Sequence, residues 1–230
     1  TDIEKIYLGI NQRMVIFADI YKLKFMYPRN LPDQLDFLKS WISQEIIEDF
    51  KNVQTFKEFL EFGEKFLTIE EQKEFAVNQG LEMTAKLGDI DDLWNFAEKI
   101  LTENEKREML KAKKYDTPWL IEFINQSKDE NVEKFLILIE NHLTRDEIVE
   151  ILMWRGQYRS LSSFYELVMY QKSAEKLKSF WKFVEKYLSV EEKRKILSFP
   201  RRFKHSTTPF SITFECKNVE VFLVFKEILM

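Results

Sequence analysis

The hydrophobic and polar positions of the chain repeat one pattern between residues 55 and 230. In each copy, apolar residues at helical spacing lead to a leucine, and a Thr or Ser follows with Glu three residues later. Counted back from that Thr or Ser, positions −12, −9, −8, −5 and −1 share one stripe of a helix. The pairs are Thr68/Glu71, Thr102/Glu105, Thr144/Glu147 and Ser189/Glu192. Each copy therefore predicts a long Phe-rich helix followed by a shorter one.

Each pair has the spacing of a capping box, in which the hydroxyl accepts from the N3 backbone N–H and the Glu accepts from the N-cap N–H. The caps are 34, 42 and 45 residues apart, which is in the range of helical solenoids. Residues 218–230 match residues 131–143, and we expect them to be a copy that is cut short. Alternating residues in 211–225 also permit a β-hairpin there, but this match favours a helix.

The segments between the copies contain a second landmark. Thr117–Pro118 and Thr208–Pro209 each combine a good N-cap with proline at the first helical position. Thr84 and Ser160 occupy the equivalent places in the other copies. Each unit is therefore predicted to contain three helices.

Residues 1–54 lack the repeated pattern. Apolar residues at helical spacing predict helices over 2–26 and 33–49, and a segment with two prolines, 27–33, separates them. An end repeat needs an outer face of its own, so we expect these helices to form an N-terminal helical cap at 1–54. The array of about four repeats then occupies 55–230, with the last one truncated.

The segment TPFSITFECKNVEVF at 208–222 resembles the ankyrin repeat, whose consensus runs Thr-Pro-Leu-His-x-Ala and then Gly-His-Leu-Glu-Val-Val. The matching residues are Thr208, Pro209, Phe210, Asn218, Val219 and Glu220. Residues 117–135 fit with a four-residue insertion, while Ser211, Thr213 and Lys217 replace the family's His, Ala and Gly. The resemblance implies an all-α, helical-repeat solenoid of ankyrin-like units, with an extended inter-repeat helix where the family has a β-hairpin finger. HEAT-like and tetratricopeptide-like arrays are the alternatives.

Composition narrows the class of protein. Five Gly and five Pro in 230 residues favour helices over a β-sandwich or barrel. The single cysteine, Cys216, forms no internal disulfide, which favours an intracellular location, cytoplasmic or nuclear. No apolar run has the length of a membrane span, so we expect no membrane association. The net charge of −4 argues against a global affinity for nucleic acid.

The chain offers no set of residues for catalysis. His142 occupies a position that is apolar or aromatic in the other copies, and His205 lies in a basic loop. Their positions in the sequence suggest neither a pairing of nucleophile and base with Cys216 nor a metal cluster. The five glycines form no phosphate-binding loop. We therefore expect no enzymatic activity, no cofactor and no metal.

Basic residues cluster in three segments, 111–116, 154–160 and 198–206, each of which bridges a capping-box helix and the next helix. Each segment also holds at least one aromatic residue. In an ankyrin-like stack these segments would line one edge, at the position of the family's binding fingers. One interpretation is that the cations offset the macrodipole at helix C-termini; the other is that they bind an anionic partner. The candidate partner-binding residues are Lys113, Lys114, Tyr115, Arg155, Tyr158, Arg159, Arg201, Arg202 and Lys204.

The ankyrin resemblance and the lack of catalytic residues imply a non-enzymatic scaffold or adaptor. Such a module would bind another protein, expected to have an acidic surface, along the repeat edge and inner-helix surface. One alternative is a nucleic-acid-binding helical-repeat module that uses the basic segments. Another is a regulatory piece of a larger enzyme or toxin. An affinity that falls steeply with salt would identify nucleic-acid binding, because phosphate contacts release counterions.

Overall fold

A computed structural model of the chain is mostly helical, and the predicted all-α class is confirmed. The chain divides into two compact units, Thr1–Met109 and Leu110–Met230, and each is described here by itself. The structure describes residues Phe17, Ala18, Tyr21, Ile46, Asp49, Phe50, 52–114, 116–154, Leu167, 173–197 and 219–229. The predicted division into a cap and an array after residue 54 stays a prediction.

The first unit ends at Met109, and its described elements are helices. They are α1 (Phe56–Phe66), α2 (Ile69–Phe75), a π-helix (Ala76–Gly80), α3 (Leu81–Leu87), α4 (Ile90–Ile100) and α5 (Glu103–Lys111), which contains the boundary. The second unit begins with two short strands and continues with helices. These elements are β1 (Lys113–Lys114), β2 (Thr117–Pro118), α6 (Trp119–Gln126), α7 (Asp129–His142), α8 (Arg145–Leu152), α9 (Ala174–Tyr187), α10 (Val190–Leu197) and α11 (Val219–Leu229).

All four predicted capping boxes are present. The Thr or Ser oxygen accepts from the N3 backbone N–H at 3.3–3.4 Å, and the Glu Oε2 accepts from the N-cap N–H at 2.7–2.9 Å. Thr55 and Glu58 form a further box that starts α1 and that the sequence analysis did not identify. These boxes end each long helix at its leucine and start a new helix, because they satisfy backbone N–H groups that no helical carbonyl can reach.

The predicted apolar stripe is buried in each long helix. The residues nine positions before the caps are fully buried: Phe59, Leu93, Phe135 and Phe180. The leucines directly before the caps are also buried: Leu67, Leu101, Leu143 and Leu188. Within the first unit α1 packs on α4, and within the second α7 packs on α9 and α9 on α11. The stripe therefore lies between long helices, where removal of apolar surface from water stabilises the packing by about 25 cal/mol per Å².

The prediction for Thr117 and Pro118 is wrong by one residue. Thr117 lies in β2, and α6 starts at Trp119 with Pro118 as its N-cap. Antiparallel pairing of Lys114 with Thr117 holds this backbone extended, so Thr117 does not cap the helix. Asp116 closes the turn at φ 71°, in the left-handed region that Asp tolerates better than most residues. A short hairpin is thus present beside the capping-box helix, whereas the resemblance implied that the helix replaces it.

The prediction that Thr84 begins a helix is also wrong. Thr84 is buried inside α3, and its hydroxyl donates to the carbonyl of Gly80 at 2.8 Å. The π-helix and α3 run on without a break, so no N-cap is needed at this point. The equivalent predictions for Ser160 and for Thr208–Pro209 lie outside the described residues.

Residues from the predicted N-terminal helices contribute to an aromatic cluster in the first unit. Phe17 lies 4.7 Å from Phe50 and 4.9 Å from Phe62, measured between ring centroids. Tyr21 lies 5.0 Å from Phe59. Phe17 and Tyr21 are both buried, as their places on the predicted apolar stripe imply.

At the other end of the chain, the helix favoured for the last copy is confirmed over residues 219–229.

Candidate functional site

Two of the predicted partner-binding residues, Lys113 and Lys114, lie in the described part of the chain, on β1. Lys113 is exposed. Lys114 is half-buried, and its Nζ lies 5.4 Å from the centroid of the Trp119 ring, in a cation–π contact. The other predicted residues lie outside the described residues: Tyr115, Arg155, Tyr158, Arg159, Arg201, Arg202 and Lys204.

A groove of about 340 Å³ lies in the second unit, between the hairpin and the C-terminal half of α8. We call it the hairpin groove. Its lining residues are Lys111, Lys113, Pro118, Glu147, Glu150, Ile151, Met153 and Trp154. Lys113 comes from the first predicted basic segment, and Trp154 is the first residue of the second. Packing therefore brings parts of two predicted segments to one place.

The helical wall of the groove follows from the spacing of residues on α8. Glu147, Ile151 and Trp154 are spaced i, i+4 and i+7, which places them on one face. Trp154 lies just past the helix end, where its N–H donates to the carbonyl of Ile151 at 3.3 Å and so continues that face. The capping box of Thr144 starts α8 and sets the register of this wall.

The hairpin forms the opposite wall. The N–H of Trp119 donates to the carbonyl of Ala112 at 3.0 Å, which joins the start of α6 to the residue before β1. Pro118 is buried next to this bond, while Lys113 on the paired strand is exposed. The groove therefore has an apolar floor of Pro118 and Ile151 and a charged side chain at its hairpin rim.

Charge in the groove is balanced. Lys111 Nζ lies 3.2 Å from Glu147 Oε1, and the two side chains are only 30% and 17% exposed. The other carboxylate oxygen of Glu147 accepts from the N–H and the hydroxyl of Thr144, each at 2.9 Å. Lys113 and Glu150 are exposed, one on each wall. Among the described lining residues the cations and carboxylates are equal in number, so these residues give a purely anionic ligand no net attraction.

The described lining of the groove combines apolar contact surface with lysine and glutamate side chains. Trp154 and Met153 are half-buried above the apolar floor, and the charged groups are lysines and glutamates. His142 is half-buried in α7 and is not a lining residue, while His205 and Cys216 lie outside the described residues. Among the described residues, no group of three His, Cys, Asp or Glu side chains is arranged to hold a metal ion. No helix within the described ranges is long and apolar enough to cross a membrane.

Several residues of the groove were not among the predicted partner-binding residues, including Pro118, Glu150 and Met153. The predicted residues were cations and tyrosines of the bridging segments, and these residue types include neither a carboxylate nor the aliphatic residues of an apolar floor. Ile151 was predicted as core, and it is buried while it also lines the groove. The spacing of Glu147, Ile151 and Trp154 could have predicted this wall of the groove, because it places a carboxylate, an aliphatic and an aromatic side chain on one helix face.

In comparisons with known proteins, no family model, no curated protein and no solved structure matches this chain.

Proposed function

We propose that the chain is a non-enzymatic protein–protein interaction module, a scaffold or adaptor, that binds a segment of its partner in the hairpin groove. The observation that carries this proposal is that Lys113 and Trp154 line the same groove, together with the apolar residues Pro118 and Ile151. Trp and Met are enriched at protein interfaces, and a half-buried Trp supplies a large contact area with few rotatable bonds. The volume of about 340 Å³ is at the small end of the range for binding pockets, which suits one or two side chains of a partner.

We propose further that the copies pack side by side as ankyrin-like repeats. Equivalent ion pairs between successive copies support this arrangement within each unit. Lys99 Nζ lies 2.5 Å from Glu64 Oε1, and Lys186 Nζ lies 2.8 Å from Glu140 Oε2. In both pairs the glutamate is four residues before its cap and the lysine is three residues before the next cap. One contact that recurs at one repeat position is what nearest-neighbour stacking produces.

The capping boxes add a second link between successive copies. Lys73 of α2 lies 3.0 Å from Glu105 in the box of α5, and Lys111 of α5 lies 3.2 Å from Glu147 in the box of α8. Each of these glutamates therefore caps its own helix and also pairs with the preceding short helix. The backbone N–H of Thr102, the ammonium of Lys73 and the hydroxyl of Thr102 together lower the pKa of Glu105 to about 2. HEAT-like arrays are compatible with the same links, so the ankyrin assignment depends on the sequence resemblance.

Replacing Trp154 with alanine tests the binding function. A random peptide library displayed on phage is selected against the protein, and the affinities of the selected peptides are measured by fluorescence anisotropy. We expect Trp154→Ala to weaken binding of these peptides by at least about tenfold, because truncation of a central interface aromatic costs about 2 kcal/mol or more. Trp181→Ala removes another half-buried tryptophan, on α9 and outside the groove, and serves as the matched control.

Equal affinities for the wild type and Trp154→Ala would show that the groove is not the binding site. The same preparations, titrated with labelled single-stranded RNA over a salt series, test the nucleic-acid alternative. RNA affinity that falls steeply with salt would favour it. The described charges of the groove do not favour nucleic acid, because Glu147 and Glu150 balance the attraction of Lys111 and Lys113 for phosphate.

A further inference from the structure

The charged groups of the hairpin groove define the kind of segment that it accepts. We infer that the groove binds an extended peptide in which an acidic and a basic residue flank one bulky apolar residue. This inference rests on the proposed function, since it specifies the partner of the same groove. It is carried by the exposed pair Lys113 and Glu150, which stand on opposite walls above the apolar floor.

The two less exposed charged residues of the groove, Lys111 and Glu147, already form an ion pair with each other. Lys111 pairs with Glu147, whose second oxygen is held by the capping box of Thr144. A ligand that displaced either group would leave a partly buried charge without its partner, which is costly. Within the described residues, by contrast, the side chains of Lys113 and Glu150 take part in no ion pair. These two side chains are therefore the ones that select an incoming ligand by charge.

The apolar part of the groove selects for size. Ile151 and Pro118 form a buried floor, and Trp154 and Met153 stand beside it half-buried. A volume of about 340 Å³ accommodates one large aliphatic or aromatic side chain together with the adjoining backbone. The thioether of Met153 adapts its shape and contacts aromatic rings favourably, so the groove accepts either kind of side chain.

Charge complementarity then sets the neighbours of the apolar residue. An acidic residue of the peptide faces Lys113 on the hairpin wall, and a basic residue faces Glu150 on the α8 wall. Successive side chains of an extended chain point to opposite faces, so when the central side chain points to the floor, its neighbours point outwards, towards the exposed Lys113 and Glu150. Such exposed pairs contribute more to specificity than to affinity, and the selected sequence is therefore the informative readout.

Selection of peptides by single charge-reversed variants tests the inference. The phage library is selected in parallel against the wild type, Lys113→Glu, Glu150→Lys, Trp154→Ala and a control, Lys57→Glu. Lys57 is an exposed residue of α1 in the other unit, so its reversal changes the net charge of the protein by the same amount as Lys113→Glu. Circular dichroism melts establish that each variant is folded before selection.

We expect wild-type peptides to carry acidic, apolar and basic residues together. Peptides selected by Lys113→Glu exchange the acidic residue for a basic one, and those selected by Glu150→Lys exchange the basic residue for an acidic one. Lys57→Glu leaves the motif unchanged. A wild-type peptide binds Lys113→Glu about tenfold more weakly, and changing its acidic residue to Lys restores the affinity, because like charges at an interface are repulsive.

The variants separate failure of the inference from failure of the proposed function. If Trp154→Ala abolishes binding while neither charge reversal alters the motif, the groove binds peptides but does not select them by charge. That result overturns the inference alone. If Trp154→Ala selects the same peptides as the wild type, or if the wild type selects none, the proposed function falls and the inference falls with it.

Discussion

Substitution of Gly88 by alanine tests how α1 packs against the turn between α3 and α4. Gly88 follows α3 with φ −123° and ψ −171°, an extended backbone that alanine adopts without strain. The conflict is with a neighbour, because a Cβ at this position would lie 2.2 Å from Cδ1 and 2.6 Å from Cγ of Phe56. An ordinary contact at such a position is 3.4–4 Å.

Phe56 has little space into which it can move. It is buried, and its ring stacks on Phe59 with centroids 6.5 Å apart and planes inclined by 18°. Phe59 is itself fully buried against Phe75. We therefore place the cost of overpacking at about 2–3 kcal/mol, in the upper part of the usual range. Alanine also lowers the conformational entropy of the unfolded chain, which stabilises the folded state by about 0.4–1 kcal/mol. The net destabilisation expected for Gly88→Ala is therefore about 2 kcal/mol.

Urea denaturation followed by circular dichroism measures this change as a lower midpoint. Gly80→Ala is the matched control, since the nearest atom to its Cβ would be a terminal methyl of Leu93, at 2.8 Å, and not an aromatic ring. Alanine also favours the helix at position 80, so we expect this control to lie within about 1 kcal/mol of the wild type. The double variant Gly88→Ala, Phe56→Leu should regain part of the loss. Full stability of Gly88→Ala would refute the packing of α1 against this turn.

Three other variants test caps and buried charge by urea denaturation. Thr55→Ala removes the capping box that starts α1 and should cost about 1 kcal/mol, whereas an unchanged midpoint would show that this box does not form. Glu105 has a folded pKa of about 2, below its ordinary 4.5, so its stabilisation is complete above pH 4.5 and is lost as the pH falls towards 2. Glu105→Gln should therefore flatten the acid side of the stability profile, and a profile identical to that of the wild type would contradict this. The ammonium of Lys176, which is buried, donates to the carbonyl of Ser127, and Lys176→Ala should cost about 1.5–3 kcal/mol.

The helices and their ends were predictable because the forces that form them are local. The four predicted capping boxes each join residues three positions apart, and all of them are present. The apolar stripe has the period of a helix, so Phe59 and Phe135 were correctly predicted as core without knowledge of what they pack against. The box at Thr55 has the same spacing, but it starts a long helix, whereas the repeated pattern places its boxes at the starts of the short helices.

The hairpin could not be predicted from local pattern. Its strands are two residues long, and Thr117–Pro118 is by itself a good signal for a helix start. Pairing with Lys113–Lys114 overrode that signal, because hydrogen bonds to another strand decide whether the backbone stays extended. Thr84 is the opposite case: a residue type that favours N-caps lies inside a helix. Its hydroxyl donates to the carbonyl of Gly80, so it does not interrupt the helix.

The sequence by itself thus determined the helical class, the positions of four capping boxes and the identity of the buried faces of the long helices, all of which depend on neighbours within one or two turns. The tertiary structure alone decided that Lys113, Glu150 and Trp154 share a groove. Lys113 is separated from the other two by more than 35 residues and lies on a strand, whereas Glu150 and Trp154 belong to a helix and to the turn after it. Only packing of the hairpin against α8 brings them together, and neither charge nor periodicity in either segment encodes that contact.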